Sequence, residues 1–282
     1  MMHNTESSFY SFAKAYRKDL KLPECYHNEK IVAGQSSGLL ILEDLRGKGR
    51  IFGHQVVDIS ITKQLVEYVA TLQTIGDSNP EWKDSADLNT TQVKIYGSDD
   101  VYAAYLKAGV AAFIEHWPTT LGPLAQKFQA ICPTLERLTH FQDGFLELGL
   151  PSALVHGDLF LSNVFVRAEH EPVHFGSPTE DLAMVILATL DAESRRLNTD
   201  QLLAQFHDSR RRRLNPKPLP YSIKQLKAAF QQSVVFVALQ YCMNGAGLIL
   251  DEHWTEEQRQ QQLERVQAIL EDAIDSTPTI QR

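Results

Sequence analysis

The sequence predicts an α+β protein in which a small piece of sheet near the N-terminus precedes a body made mostly of helices. Three observations carry this expectation. Long stretches repeat apolar residues at helical spacing, as in "DISITKQLVEYVATLQTIG" from Asp58 to Gly76, the pattern of a helix that buries one stripe. Apolar runs of strand length are few and are bounded by glycine or by charge: "GLLILEDL" (Gly38 to Leu45) and "ALVHGDL" (Ala153 to Leu159). The second of these opens "LVHGDLFLSNVFV", Leu154 to Val166, which sets His, Asp and Asn among apolar residues where an inert buried strand would carry none.

The elements follow in order. "TESSFYSFAKAYRKDL" reads as a helix capped by Thr5, with Phe9, Phe12, Ala13 and Tyr16 on one face. "GLLILEDL" reads as a buried strand, paired in a hairpin with "EKIVAG" (Glu29 to Gly34). "RGKGRIFG" (Arg46 to Gly53) lacks the GxGxxG spacing and reads as a loop, not a phosphate cradle. After the Asp58 helix come "DDVYAAYLKAGVAAFIEHW" and "LAQKFQAICPTLERLTHFQDGFLEL", punctuated by Pro118 and Pro133. "NVFVRAEHEPVHF" reads as a hairpin turning at Ala168 to Glu171. "GSPTEDLAMVILATL", "SIKQLKAAFQQSVVFVALQYCMNGA" and "TEEQRQQQLERVQAILEDAI" close the chain as helices. There is no internal repeat.

A chain of 282 residues has room for one large domain or for two lobes around a cleft. With 43% hydrophobic and 22% charged residues, it can bury a core and is not of disordered composition. The formal net charge of -8 argues against a nucleic-acid binder, whose phosphate contacts need a basic face. The one basic run, "SRRRRLNPK" from Ser209 to Lys217, reads as a solvated loop or helix end. Cys25, Cys132 and Cys242 form no CxxC pair and read as free thiols of a reducing compartment. The N-terminal stretch carries no signal pattern, and no apolar run reaches the roughly 18 residues that span a bilayer. The expectation is a cytoplasmic protein with no membrane partner.

The stretch His156-Gly157-Asp158 followed by Asn163 has the residue types that phosphoryl transfer needs. A carboxylate on a rigid loop can accept the proton of an attacking hydroxyl, and an Asn five residues on can turn its carbonyl to Mg²⁺. Gly157 permits a backbone conformation that other residues resist, and His156 can tie the loop to the core.

"VHGDLFLSNVFV" resembles the catalytic loop of the aminoglycoside phosphotransferase and choline kinase superfamily. "LLILEDL" resembles the hinge strand of its ecdysteroid-kinase-like (CHK kinase-like) branch, "FGSPTEDLAMV" (Phe175 to Val185) the segment after the metal site, and "ESSFY" (Glu6 to Tyr10) the helix with the ion-pairing Glu. The resemblance covers nearly the whole chain. It implies a protein-kinase-like fold, ATP and Mg²⁺ as cofactors, and a small-molecule hydroxyl acceptor. It further implies Asp158 as catalytic base, Asn163 as Mg²⁺ ligand and the backbone of Glu43, Asp44 and Leu45 as the adenine hinge. His156 and Asp181 would be structural supports, and Glu6 the partner of a nucleotide-binding lysine.

Two departures from that pattern stand out. Only five residues precede Glu6, which leaves no room for the family's glycine-rich hairpin and strand-borne Lys. Lys14, Lys18, Lys21 and Lys30 all follow Glu6 and have no such strand context. Between Asn163 and Asp181 no Asp occurs, although the family places its main metal ligand there in an "IDF"-like tripeptide. Glu169, Glu171 and His174 are the nearby substitutes. The expectation is a truncated smaller lobe in residues 1–45 and a helical lobe with the catalytic-loop hairpin in residues 46–282. Removing one electrostatic contact to a transition state costs on the order of 3–4 kcal/mol, so joint loss of these parts would leave little activity. Two origins remain open, a true loss and a piece of a longer kinase.

Two functions from different classes follow: a small-molecule kinase, and a non-catalytic pseudokinase-type module that binds a protein partner. A hydrolase is disfavoured, because Ser152 and Ser177 lack a GxSxG context. The ten histidines are scattered along the chain and, His156 apart, read as core or surface residues, "GAGLIL" (Gly245 to Leu250) reads as close helix packing or a helix end, and Trp82, Trp117 and Trp254 read as packing residues.

Overall fold

The computed structural model describes residues 2–34, 37–47, 49–51, 53, 55–88, 93–166 and 174–277. Helix α1 (Met2–Ala13) runs through a single turn into the short α2 (Arg17–Leu20). Strands β1 (Cys25–Glu29) and β2 (Leu39–Leu42) pair antiparallel, and β3 (Arg50–Ile51) follows. The body holds α3 (Ile59–Ser78), α4 (Val93–Tyr96), α5 (Asp99–His116), α6 (Leu121–Ile131) and α7 (Leu135–Asp143). After these come β4 (Ala153–Val155), β5 (Phe165–Val166) and β6 (His174–Gly176), then α8 (Glu180–Thr189), α9 (Ala192–Leu214), α10 (Ile223–Ile249) and α11 (Glu256–Ser276).

The helices start where the sequence supplies caps. The side chains of Asp58, Ser98, Thr134 and Asp191 accept backbone N–H groups of the first turns of α3, α5, α7 and α9. Ser222 with Gln225 and Thr255 with Gln258 form reciprocal capping boxes on α10 and α11, which satisfy donors the helix itself leaves open. Pro133 separates α6 from α7 as expected. Thr5 is not a cap: α1 begins at Met2, and the Thr5 hydroxyl donates to the Asp87 carbonyl at 3.1 Å.

Helices α8 and α10 form the centre of the main core. All ten residues of α8 are buried, and α10 contributes residues from Leu226 to Ile249. By length and composition α10 could cross a membrane, contrary to the expectation from apolar runs, but 67% of its most apolar window is buried inside the protein. It is a core helix. At its crossing with α5, a Cβ on Gly109 would lie 2.7 Å from the Met243 Cα, so only glycine allows that approach. Gly245 packs on Phe113 and Val266, in line with the helix-packing reading of "GAGLIL". A second cluster joins Phe9, Ala13, Leu20 and Leu22 to Leu72 of α3, Trp82 and Leu154 of β4. It fastens the N-terminal elements to the body.

The strands differ from expectation in three ways. The partner of β2 is Cys25–Glu29, upstream of most of "EKIVAG", with Glu29 opposite Leu39 and Cys25 opposite Leu42. β2 is not buried, since Leu39 and Ile41 are 48% and 44% exposed; α1 packs on its partner β1. Among the described residues, β5 and β6 do not pair as a hairpin; β5 pairs with β3 and β6 with β4. Short apolar runs specify a strand but not its partner. The expected turn at Ala168 to Glu171, with Glu169 and Glu171, lies outside the described residues.

Candidate active site

The loop after β4 is built around a buried carboxylate. Asp181 sits in the first turn of α8 and is fully buried. Its two oxygens accept the backbone N–H groups of His156 at 2.7 Å and Gly157 at 2.8 Å. Burial pushes its pKa up to about 6, against the pull of those two hydrogen bonds. Its neighbour Glu180 is also buried and its pKa is raised well above the ordinary range, by burial first and by Asp181 second. Gly157 has φ of +76°, a left-handed conformation that a residue with a Cβ resists. The chain can therefore turn both amides toward Asp181 and deliver Asp158 to the surface.

Asp158 is exposed. Its own N–H donates to the His156 Nδ1 at 3.3 Å, and the next N–H, of Leu159, meets the Met184 Sδ at 2.9 Å. Asn163 closes a one-turn 3-10 helix, Leu161–Asn163. Its amide donates to the Asp158 carbonyl at 2.9 Å and to the Asp158 Oδ2 at 2.8 Å. This fixes the rotamer of the carboxylate and leaves the Asn163 carbonyl oxygen outside the clasp. A cleft of about 350 Å³ opens beside Asp158, walled by Phe160 and by Gln240, Tyr241, Asn244 and Leu248 of α10.

His156, Asp158, Asn163 and Asp181 are thus brought together as the sequence suggests. Glu6 and the hinge segment lie on the β1–β2 side. Glu6 is half-buried on α1; burial raises the pKa of the Cys25 thiol, and Glu6 adds to that in the smallest part, while its neighbour Ser7 hydrogen-bonds Asn28. The backbone N–H of Glu43 donates to the Glu24 carbonyl at 2.8 Å, while its carboxylate accepts the Glu24 N–H at 3.1 Å. That N–H of the expected hinge is therefore already engaged. Asp44 forms a bidentate pair with Arg46. No group of three His, Cys, Asp or Glu side chains among the described residues is placed to hold a metal ion. The structure describes the backbone of His174 in β6 but not its side chain.

One supporting residue was missed. Arg210, inside the basic run, is 2% exposed. It gives an N–H to Gln73 Oε1 at 3.0 Å and pairs with Asp77. Gln73 in turn donates to the Pro178 carbonyl at 2.9 Å, in the turn that leads into Asp181. The signal lay in periodicity: Leu203, Phe206 and Arg210 share one buried helical stripe.

Across residues 1–277 the chain matches the DUF1679 family, described as "Uncharacterized oxidoreductase dhs-27". The chain belongs to this family. The Caenorhabditis elegans protein named uncharacterized oxidoreductase dhs-27 is 20% identical over 260 residues, which are 85% of this chain and 30% of that protein. This member of the family thus spans about 30% of the length of that curated relative. Among solved structures, a Ralstonia eutropha JMP134 protein that carries the name of an aminoglycoside phosphotransferase is 12% identical. It superimposes with a TM-score of 0.49 over 97% of this chain and 83% of its own. A likeness at that level fixes neither fold nor chemistry.

Proposed function

We propose that this family member is a kinase-like small-molecule phosphotransferase with an incomplete catalytic set. The observation that carries the reading is the clasped, exposed Asp158 at the mouth of the cleft, on a loop whose two preceding amides are held by buried Asp181. In this reading residues 1–45 are the remnant of the smaller lobe and residues 46–282 the helical lobe. Asp158 would take the proton of an acceptor hydroxyl while that oxygen bonds to the γ-phosphorus of ATP and the bond to the ADP oxygen breaks. Mg²⁺, when bound, would neutralise the phosphate charge. Mg²⁺ keeps several waters and needs only one or two protein oxygens beside the phosphates, and Asn163 with Asp158 would supply these.

A second reading, a non-catalytic binding module, is favoured by one observation: the Glu43 N–H is already given to Glu24. The name oxidoreductase belongs to a protein of which this chain matches 30%. This sequence has no GxGxxG, and its described strands are three antiparallel pairs rather than the parallel sheet that binds dinucleotides. Free Cys25, Cys132 and Cys242 support a reducing compartment such as the cytoplasm. The test is ADP release from Mg²⁺-ATP with a panel of hydroxyl compounds. Acceptor-dependent release that falls at least about 100-fold in Asp158→Asn supports the reading, since a positioned base contributes about 10²–10⁴-fold. Release unchanged in that variant refutes it, and none with any acceptor favours the binding module.

A further inference from the structure

The walls of the cleft beside Asp158 carry information about what fits there. Gln240, Asn244 and Leu248 recur every fourth residue of α10 and line one wall. Asn244 is exposed, and one of its N–H groups goes back to the Gln240 carbonyl at 3.2 Å. Its carbonyl oxygen and second N–H have no hydrogen-bond partner among the described residues. The ring of Phe160 meets Tyr241 edge to face with centroids 6.0 Å apart, giving the cleft an apolar side. Among the described residues, Asp158 is the one carboxylate in its lining.

Two buried arginines stand behind Tyr241, with Asp272 and Asp191 near them. Arg195 and Arg265 are each 3% exposed, and both act on the Tyr241 phenol. Arg195 pairs with Asp272, whose carboxylate Arg196 shares. Arg265 donates to the Ala188 carbonyl at 2.6 Å, and its Nε and Nη2 meet no acceptor among the described residues. A guanidinium stays ionised, and buried charges are screened far less than exposed ones. A cation entering the cleft would meet one solvated carboxylate in front and these arginines behind. A second anion would meet Asp158.

We propose that Gln240 and Asn244 select the acceptor, and that the acceptor is an uncharged hydroxyl compound with a flat apolar body. The body lies against Phe160 and Tyr241, and polar groups are read by the two amides. The proposal rests on the phosphotransferase reading only for the direction of the reacting hydroxyl, toward Asp158.

The test is binding to the full chain by ligand-observed NMR and calorimetry. The uncharged probes are 4-nitrophenyl β-D-glucoside and 2-naphthylmethanol; the cationic ones are choline and kanamycin. The wild type should bind at least one uncharged probe about tenfold or more tighter than either cation. The double variant Gln240→Ala/Asn244→Ala should weaken that probe about tenfold with its melting curve unchanged. Asn244→Asp should strengthen kanamycin binding. Tighter binding of choline or kanamycin by the wild type overturns the proposal. So does an unchanged affinity in the double variant, or no binding of either uncharged probe. ADP release is scored separately: Asn244-dependent binding without phosphoryl transfer would refute the phosphotransferase reading and leave the selectivity assignment standing.

Discussion

Asp181 is fully buried, and each of its carboxylate oxygens takes a backbone N–H from the loop that carries Asp158. The β1–β2 pair is built differently: Tyr26, Leu39 and Ile41 are 63%, 48% and 44% exposed. Two strands alone are marginal in water, and this pair leans on α1 through Asn28, whose amide donates to the Ser7 carbonyl at 2.7 Å and to the Ser11 hydroxyl at 3.0 Å. The loop that would act on the acceptor is therefore held by the core, while the segment that would hold a nucleotide is held by a few half-exposed hydrogen bonds. A site can keep the geometry of its chemistry after the support for its cofactor has thinned, because different parts of the fold stabilise the two.

The largest expected effect is on the core-held side. Arg210→Ala leaves the Asp77 carboxylate without its cation and the Gln73 carbonyl oxygen without its donor. Breaking a buried pair from one side costs roughly 3–5 kcal/mol; with Asp77 27% exposed, the lower end of that range applies. Urea denaturation should show a lower midpoint with an unchanged slope. A loss within about 0.5 kcal/mol, the range of ordinary surface substitutions, would mean that the turn at Pro178 needs no brace.

Next in size is a pH dependence. The Asp181 pKa is raised from 3.8 to about 6, so between those values the folded protein holds a proton that the unfolded chain releases. Its contribution to stability is full below about pH 4 and is lost as pH rises through about 6. It amounts to about 3 kcal/mol at most, at 1.36 kcal/mol per pH unit. Glu180 acts in the same direction. Denaturation curves from pH 4 to 7.5 should fall more steeply for wild type than for Asp181→Asn; parallel curves would remove Asp181 as the titrating group. In the same variant the His156 and Gly157 amides should exchange with solvent faster, because Asn offers one acceptor where the carboxylate offers two.

The smallest effects belong to the hairpin side. Asn28→Ala should cost about 1 kcal/mol and appear as faster exchange confined to β1 and β2, a local opening below the global one. Lys30→Ala removes an exposed pair with Asp87 and should change stability by less than about 1 kcal/mol. If Asn28→Ala instead unfolds the whole chain, the two regions are one cooperative unit and the contrast between them fails.

Much of this was legible in the sequence. The helix starts at Asp58, Ser222 and Thr255 were legible because capping is chemistry confined to a few residues, although Thr5, which has the same chemistry, caps nothing; the loop from His156 to Asn163 folds on itself. Strand partnership was not legible, because "NVFV" and "VHF" carry no mark of whether they pair with each other or with "RI" and "ALV". The burial of Arg210 was hidden by composition, four arginines in a row suggesting a solvated end although the helical stripe pointed inward. The engaged Glu43 N–H was hidden too, since it depends on β1 reaching back to Glu24.

The measurement that bears most directly on the central claim is calorimetric titration of the full chain with ATP, with and without Mg²⁺, alongside Asn163→Ala. The account predicts ATP binding that Mg²⁺ strengthens about tenfold or more, roughly 1.4 kcal/mol, and loss of that strengthening in Asn163→Ala while weak binding without metal persists. Binding indifferent to Mg²⁺, or strengthened equally in Asn163→Ala, would contradict the assignment of a phosphoryl-transfer site to the loop that carries Asp158.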